Sequence, residues 1–437
     1  MQPFFFVGFL YSLIPMIKVP QVYIDFSRYF TAAGYSLYLV GGAVRDMLLE
    51  KNPLDYDFAT DASPDAIMQL FTKVIPTGIE HGTVTVLYKG IPIEVTTFRI
   101  DGDYSDSRHP DQVQFASSIA EDLSRRDFTI NAISVKMPQC ELLDLYNGQT
   151  DLQQQCIRAI GNPFARLSED PLRVLRGIRF SCVLGFSVDS ATLEAMKSVA
   201  SLVSGVAKER IREEWIKLLK GRHLNAGMHI IPAIGIQNLF FPAPLSDMSL
   251  IRSNECSLTQ GVQAYTPQTE TWIWRYSVFS LAFRKPNTAN NAINKLFTEF
   301  LHFARYTKRE IHSISELIRA IQLPLPDTSS QSTREYLFKL QSNSYADILQ
   351  ARKVLGLSFP DEELLEVIER EQMQGVILQT SELAVNGNDI AATCQRPPGA
   401  WLGVVMQQLT LAVARDPSLN TKEKLQELAK SILKDES

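Results

Sequence analysis

The stretch that most constrains this chain runs from Leu39 to Thr60, LVGGAVRDMLLEKNPLDYDFAT. A strand-like apolar run ends in Gly41-Gly42, a helical segment carrying Arg45 follows, and a second short strand presents Asp55 and Asp57. Alternate residues of a strand share a face, so both carboxylates can converge on one point. Two unpaired carboxylates that close repel unless a cation or a shared proton lies between them. A hard divalent cation is the natural occupant, and Mg²⁺ with a nucleoside triphosphate is the commonest reason for such a site. By itself Asp-x-Asp also describes a polar turn after Pro53; the Gly-Gly turn and Arg45 ask for more. Glycines at a strand-to-helix turn let backbone amides approach a phosphate, so Gly41, Gly42 and Arg45 form a candidate triphosphate cradle.

Around this stretch, apolar spacing from Lys18 to Ala33 predicts a helix closed by Gly34, and Tyr35 to Val40 a buried strand. Ser63-Pro64-Asp65 predicts a helix start, with the helix running to about Phe71. Thr83–Tyr88 and Ile91–Phe98 predict a hairpin joined at Lys89-Gly90. In its second strand Ile91, Ile93, Val95 and Thr97 share one face, leaving Glu94 with Thr96 on the other. An acid there faces solvent or a site, and the two nearby aspartates favour Glu94 as a third carboxylate. Asp101 to Phe115 is polar and aperiodic and reads as a flexible loop of the kind that forms lids. Glu121–Val135 begins charged and gives way to a helix, where Arg126 and Asp127 can meet phosphate and ribose hydroxyls or simply form a solvated helix start. Asp144 to Ile160 reads as a turn and a connecting strand.

Beyond Gly161-Asn162-Pro163 strand patterns become scarce, and a domain boundary is placed there. LSEDPLRVLRGIRFSCVLGF predicts a helix capped by Ser168, with Pro171 in its first turn, running through Phe180. Asp170 and Arg173 then share a face, and Arg176 and Arg179 continue the row. A solvated surface is the default for such a row. Read as a site, an Asp/Arg pair matches the Watson–Crick edges of C and A, which both carry an exocyclic amine beside a ring-nitrogen acceptor. Helical spacing recurs in Arg334–Gln350, Glu362–Gln374 and Lys422–Lys434.

With 437 residues, 45% hydrophobic and 21% charged, the chain reads as an ordinary globular protein of two or more domains. Five scattered cysteines without a CxxC pair argue for a reducing compartment and against a disulfide framework or a structural zinc site. Six histidines without HExxH argue against a histidine-built metal hydrolase. A net charge of −5 does not advertise a nucleic-acid binder, although a local basic groove can sit on an acidic protein. Residues 3–17 are nearly all apolar but lack a preceding Lys or Arg and a cleavage site, and the run is short for a membrane span. Residues 1–15 are therefore read as an over-extended start before Met16, and no membrane association is expected.

In combination these blocks resemble the class II tRNA nucleotidyltransferase (CCA-adding) and bacterial poly(A) polymerase family. The matching stretches are LVGGAVRDMLL…DYDFAT, IEVTTFR, FRIDGDYSDSRHP, EDLSRRDFTINAI, SEDPLRVLRGIRF, KERIREEWIKLL and SELAVNGNDI…PPGAWLGVVM. The resemblance spans Val19 to Leu433 and implies an α+β protein. A small mixed-sheet, polymerase-beta-like nucleotidyltransferase head at 16–160 is expected, then an all-helical neck at 161–221, body at 222–325 and tRNA-binding tail at 326–437. It implies that Asp55 and Asp57 bind Mg²⁺ with Glu94 as a supporting acid, and that Gly41, Gly42 and Arg45 hold the triphosphate. Arg126 and Asp127 would serve phosphate and ribose, with Asn131 in the same nucleotide-binding set. Asp170 with Arg173 would select CTP and ATP, and Arg176 and Arg179 would complete the pocket. The implied activity is cytoplasmic, template-independent addition of CCA to the tRNA 3′ end with release of pyrophosphate. An A-adding partial enzyme, a poly(A) polymerase and a non-catalytic RNA-binding protein are the alternatives. After Asp144 the chain reads Leu-Tyr-Asn-Gly where relatives carry a Pro-aromatic-Gly-Gly type turn, in a region thought to act as a hinge.

Overall fold

Seven strands within the first third form one mixed sheet, and two further strand pairs lie outside it. The computed structural model describes residues 17–100, 114–242, 258–283, 290–340, 343–376 and 379–435. Two compact units divide between Phe240 and Phe241. The first begins α1 (Gln21–Ala32), β1 (Leu37–Val40), α2 (Gly42–Leu48), β2 (Asp57–Thr60), α3 (Pro64–Leu70), β3 (Val74–Gly78), β4 (Thr83–Tyr88) and β5 (Ile91–Thr97). It continues with β6 (Arg99–Ile100), β7 (Gln114–Phe115), α4 (Ile119–Ser124), β8 (Ile133–Met137), β9 (Glu141–Asp144), α5 (Gly148–Gln153) and β10 (Cys156–Ile157). Then come α6 (Pro163–Glu169), α7 (Leu172–Leu184), β11 (Ser187–Val188), α8 (Ser190–Val199) and α9 (Lys208–Leu219).

The seven-stranded sheet has the order β3-β4-β5-β2-β1-β8-β9. Its pairs are antiparallel except β2 with β5, which run parallel and set Asp57 opposite Glu94. Lys89 and Gly90 both take positive φ, as a two-residue hairpin turn requires. Phe58, Val95 and Val84 lie in one row across β2, β5 and β4, and Phe26 of α1 meets Phe58 edge-on at 5.8 Å. Phe71 and Tyr88 pack on the same Phe26 ring at 5.1 and 5.4 Å, which seals that face of the sheet. The alternate residues Asp57, Glu94, Thr96 and Thr83 therefore fall on the opposite face. Ser63 caps α3 by accepting from Ala66 N, as its Ser-Pro-Asp start predicts.

Several sequence expectations need correction. The helix expected from Ser168 through Phe180 is two helices: Ser168 lies inside α6, which Asn162 caps, and the chain breaks at Asp170. Pro171 has no N–H and disfavours helical backbone in the residue before it, so Asp170 is extended (φ −135°, ψ 97°) and α7 starts afresh at Leu172. Asp170 and Arg173 accordingly do not lie three apart on one helix. In Glu121–Val135 the α-helix is only the short α4 ending at Ser124, a single 3₁₀ turn covers Thr129–Asn131, and Ile133 onward is the buried strand β8. Asp144–Ile160 holds a helix, α5, because Asp144 Oδ1 and Oδ2 accept from Gly148 N and Gln149 N at 2.8 and 2.9 Å and tie down its first turn. The change from strands to helices after residue 160 falls inside the first unit.

The second unit is helical. Its segments include Thr271–Ala282, Lys308–Gln322, Ser330–Leu340, Tyr345–Val354, Glu362–Gln374, Gly387–Thr393, Ala400–Arg415 and Lys422–Asp435. The spacing read across Arg334–Gln350 resolves into two of these, whereas Glu362–Gln374 matches its expected bounds. Leu425 and Ala429 of the last helix are fully buried against Val405, Leu409 and Val413. Among the described residues no helix is long and apolar enough to cross a membrane. The N-terminal reading of residues 1–15 and the loop reading for 101–113 lie outside the described residues, while Gln114–Phe115 form β7.

Candidate active site

Asp57 opens β2 with its side chain exposed, and the parallel register sets it beside Glu94 on β5. Partial removal from water raises the Asp57 pKa above the ordinary carboxylate value; Glu94 and Asp55 raise it further, and Arg126 opposes them. The three acids therefore interact, with too little positive charge nearby to relieve Asp57. Among the described residues no group of three or more His, Cys, Asp or Glu is arranged as a ready-made metal cage. The donor chemistry nonetheless fits a hard cation such as Mg²⁺, which takes one or two carboxylates and completes its shell with water and substrate phosphate. Mutually repelling carboxylates are the observation that favours a cation there.

A cleft of about 750 Å³ is lined by Asp57 and Glu94 and by eight arginines, whereas Asp55 precedes β2, so that the two aspartates do not share that strand, and it is not among the lining residues. At the end of β1, Gly41 has φ +71°, and a Cβ there would lie 3.0 Å from Arg126 Nη1. Only glycine gives both the turn and the close approach. Arg45 donates through Nη1 to Asn131 Oδ1 at 2.8 Å, through Nε and Nη2 to Asp46, and stands 5.2 Å over the Phe180 ring. Asn131 Nδ2 in turn donates to Asp127 Oδ1 at 3.0 Å.

Asp127 is buried and accepts also from its neighbour Phe128 N at 2.8 Å and from Arg176 Nε at 2.7 Å. Burial alone would raise its pKa, but Arg176, Asn131 and the backbone amide outweigh it and lower it to about 2. Its expected place beside ribose thus comes with a carboxylate already well supplied with donors. Arg126 is held by Asp122 Oδ2 at 3.1 Å, and Arg125 by Asp122 Oδ1 at 2.8 Å.

The proposed base-reading side chains go to separate partners. Asp170 Oδ1 accepts from Leu172 N at 3.1 Å and Oδ2 from Arg210 Nη2 at 2.9 Å. Arg173, buried, donates to Glu169 at 2.8 Å, to Arg166 O at 2.7 Å and to Arg125 O at 2.9 Å. Arg176 pairs with Asp127 and Arg179 with Glu214 at 2.6 Å. Burial lowers the Arg179 pKa, Glu214 working against that. Phe180 gathers three of these cations, with Arg179 4.0 Å and Arg176 5.7 Å from its centroid besides Arg45.

All of the sequence-predicted nucleotide residues line this one cleft together with Asp57 and Glu94. Asp122, Phe180, Arg210 and Glu214 were not singled out from sequence. Arg210 and Glu214 sit four apart in KERIREEWIKLL and share a face of α9, from which Arg210 lines the cleft and buried Glu214 pairs with the lining residue Arg179. Thr83, Thr96, His81 and Arg99 also line the cleft.

Comparison with known proteins places residues 37–158 in the Poly A polymerase head domain model, 185–247 in the probable RNA and SrmB-binding site of polymerase A, and 266–429 in the putative tRNA nucleotidyltransferase domain 2. The CCA-adding enzyme of Limosilactobacillus reuteri is 35% identical over 403 residues, 92% of this chain and 94% of that protein. That of Leuconostoc citreum is 34% identical over 405 residues, 93% of this chain and 94% of its own. The crystal structure of the Bacillus stearothermophilus CCA-adding enzyme with CTP superposes with TM-score 0.73 at 27% identity, covering 95% of this chain and 98% of that one. The Thermotoga maritima CCA-adding enzyme complexed with tRNA shares the fold, with TM-score 0.60 at 18% identity, covering 95% of this chain and 97% of that one.

Proposed function

This chain belongs to the CCA-adding enzyme family, and from that premise we propose that it adds C, C and A to the 3′ end of tRNA, using CTP and ATP and releasing pyrophosphate. The observation that carries the reading is that one cleft holds exposed carboxylates on a sheet together with arginines and an Asp from the α6–α7 break.

In this reading Arg45 and Arg126 receive the triphosphate, positioned by Asn131 and Asp122. Asp127 and Arg176 shape the sugar side of the pocket. Asp170 keeps lone pairs beyond those used by Leu172 N and Arg210, so it can accept from the exocyclic amine of C or A. Arg173 is the donor toward the ring acceptor, and its contact with Arg125 O ties base selection to the arginine pair of EDLSRRDF. The acceptor's 3′-oxygen forms a bond to the α-phosphorus in line with the breaking bond to the β-phosphate, and its proton passes to solvent. Asp55 and Asp57 would hold Mg²⁺, whose chemistry when bound is to neutralise the triphosphate and to lower the pKa of a nearby hydroxyl. Helices beyond residue 161 would carry the tRNA. The setting is the cytoplasm, a reading the free Cys140, Cys156, Cys182 and Cys394 support.

The test is Asp57→Ala. Nucleotide addition should fall by at least about a thousandfold while tRNA binding persists, since positioning and electrostatic stabilisation carry such chemistry. Near-normal addition by the variant would remove Asp57 from the reaction.

A further inference from the structure

The two aspartates of the Asp-x-Asp stretch are held in different ways. Asp57 lies in β2, where pairing with Val40 of β1 and Glu94 of β5 fixes its backbone. Asp55 precedes the strand: residues 51–56 form no helix or strand, and Leu54 beside it is 95% exposed. The Asp55 charge nonetheless reaches Asp57, whose pKa it helps to raise after burial and Glu94. A carboxylate outside the sheet therefore acts on one inside it.

What restrains Asp55 is the residue between the two acids. The Tyr56 ring stacks on Tyr23 of α1, with centroids 4.3 Å apart and planes 27° from parallel. Tyr23 also meets Phe58, on the other side of Asp57 in the chain, at 5.7 Å. One ring of α1 thus packs on both sequence neighbours of Asp57. Tyr23 is itself well anchored. Phe26 and Phe30 continue its face of the helix at i+3 and i+7, both fully buried, and Phe26 packs on Phe58, Phe71 and Tyr88. The first turn of α1 carries this aromatic stripe out of the core to the Asp-x-Asp stretch. Burial, Tyr56 and then the Asp55 carboxylate raise the Tyr23 pKa, so Asp55 lies within electrostatic range of the same stack.

We propose that Tyr23 is a positioning residue for metal binding: by stacking on Tyr56 it holds residues 55 and 56 so that the Asp55 carboxylate stands ready beside Asp57 for a divalent cation. This rests on the nucleotidyl-transfer reading above. Tyr23 acts through Tyr56 and not by touching substrate. Without the stack, the segment before β2 is ordered only when the cation arrives, and that ordering is subtracted from the affinity. The core contacts of Phe26 remain when the Tyr23 ring is removed, so the head keeps its fold while the segment loosens.

The experiment uses the full chain with Mn²⁺ as the probe. Free Mn²⁺ is followed by electron paramagnetic resonance as it is titrated into wild type, Tyr23→Leu, Tyr56→Leu and Tyr23→Phe, the site of interest being the one that Asp57→Ala removes. CTP affinity in EDTA is measured alongside and reports folding and the arginine pocket. Each leucine variant should bind Mn²⁺ about tenfold more weakly, near the upper end of what one aromatic pair supplies, with CTP affinity in EDTA staying within about twofold. Tyr23→Phe, which keeps the ring, should bind Mn²⁺ as wild type does. Unchanged Mn²⁺ affinity in a leucine variant that still binds CTP would overturn the assignment. So would Tyr23→Phe as weak as Tyr23→Leu, or Mn²⁺ and CTP affinities that fall together, since these mark a role for the hydroxyl or damage to the whole head. Should Tyr23→Leu fail to bind CTP, the partly exposed Tyr56→Leu decides in its place. Wild-type Mn²⁺ binding that Asp57→Ala leaves untouched would overturn the underlying reading instead.

Discussion

Arg210 Nη2 stands 2.9 Å from Asp170 Oδ2, so a residue of α9 fixes the carboxylate exposed by the break between α6 and α7. Proline made that break, and Arg210 gives the loosened residue a defined orientation. Arg210→Met should let the carboxylate turn. The preference for CTP over UTP, measured as a ratio of kcat/KM values, should drop about tenfold, equivalent to about 1.4 kcal/mol. Arg210→Lys should recover part of it, because an ammonium replaces the charge but not the planar fork.

Asp127 should leave a signature in acid. Its pKa is lowered to about 2 in the folded chain, against about 3.9 for an unperturbed aspartate. Its ionised form thus stabilises the fold above the unfolded pKa, and that contribution fades as pH falls from about 4 through 2. Urea unfolding as a function of pH should show Asp127→Asn less stable at neutral pH but with a flatter acid limb. The difference between the two curves should shrink by about 2 kcal/mol across that window.

Gly148 stands at the start of α5, where an added Cβ would lie 2.3 Å from Thr129 O and 2.7 Å from Ile133 Cγ1. Gly148→Ala should cost about 1–3 kcal/mol or more, because backbone on one side leaves nothing to yield. Gly205, with nothing within 4 Å of such a Cβ, supplies the control. Gly205→Ala should stay within about 0.5 kcal/mol in the same thermal unfolding series.

Asp347 anchors the second unit. Fully buried, it accepts from Tyr265 Oη at 2.8 Å, Gln268 N at 2.9 Å and Thr269 N at 2.7 Å. Asp347→Ala strands those donors, and chemical denaturation should report a loss of about 3 kcal/mol or more.

Local chemistry made much of this molecule legible. Alternation placed Glu94 opposite the apolar face of β5, and Lys89-Gly90 marked the hairpin, because strand period and turn conformation are short-range properties. The Asp170–Arg173 pairing misled for the opposite reason. Helical spacing counts residues, whereas Pro171 resets the count, and each side chain then found its partner elsewhere, Asp170 in α9 and Arg173 at the Arg125 carbonyl. Asp122 and Glu214 were hidden because a carboxylate in a charged helix looks solvated until a distant arginine turns up beside it. Which acids meet which arginines is a tertiary fact. The residue types were readable and the pairing was not.

The central claim is tested most directly by offering the protein tRNAs that end before the first C, after one C and after two, each with CTP, ATP or both. Stepwise addition of C, C and then A on every substrate, with arrest after the A, is the predicted result. A run of many A residues, failure of one of the steps, or no addition at all would contradict it.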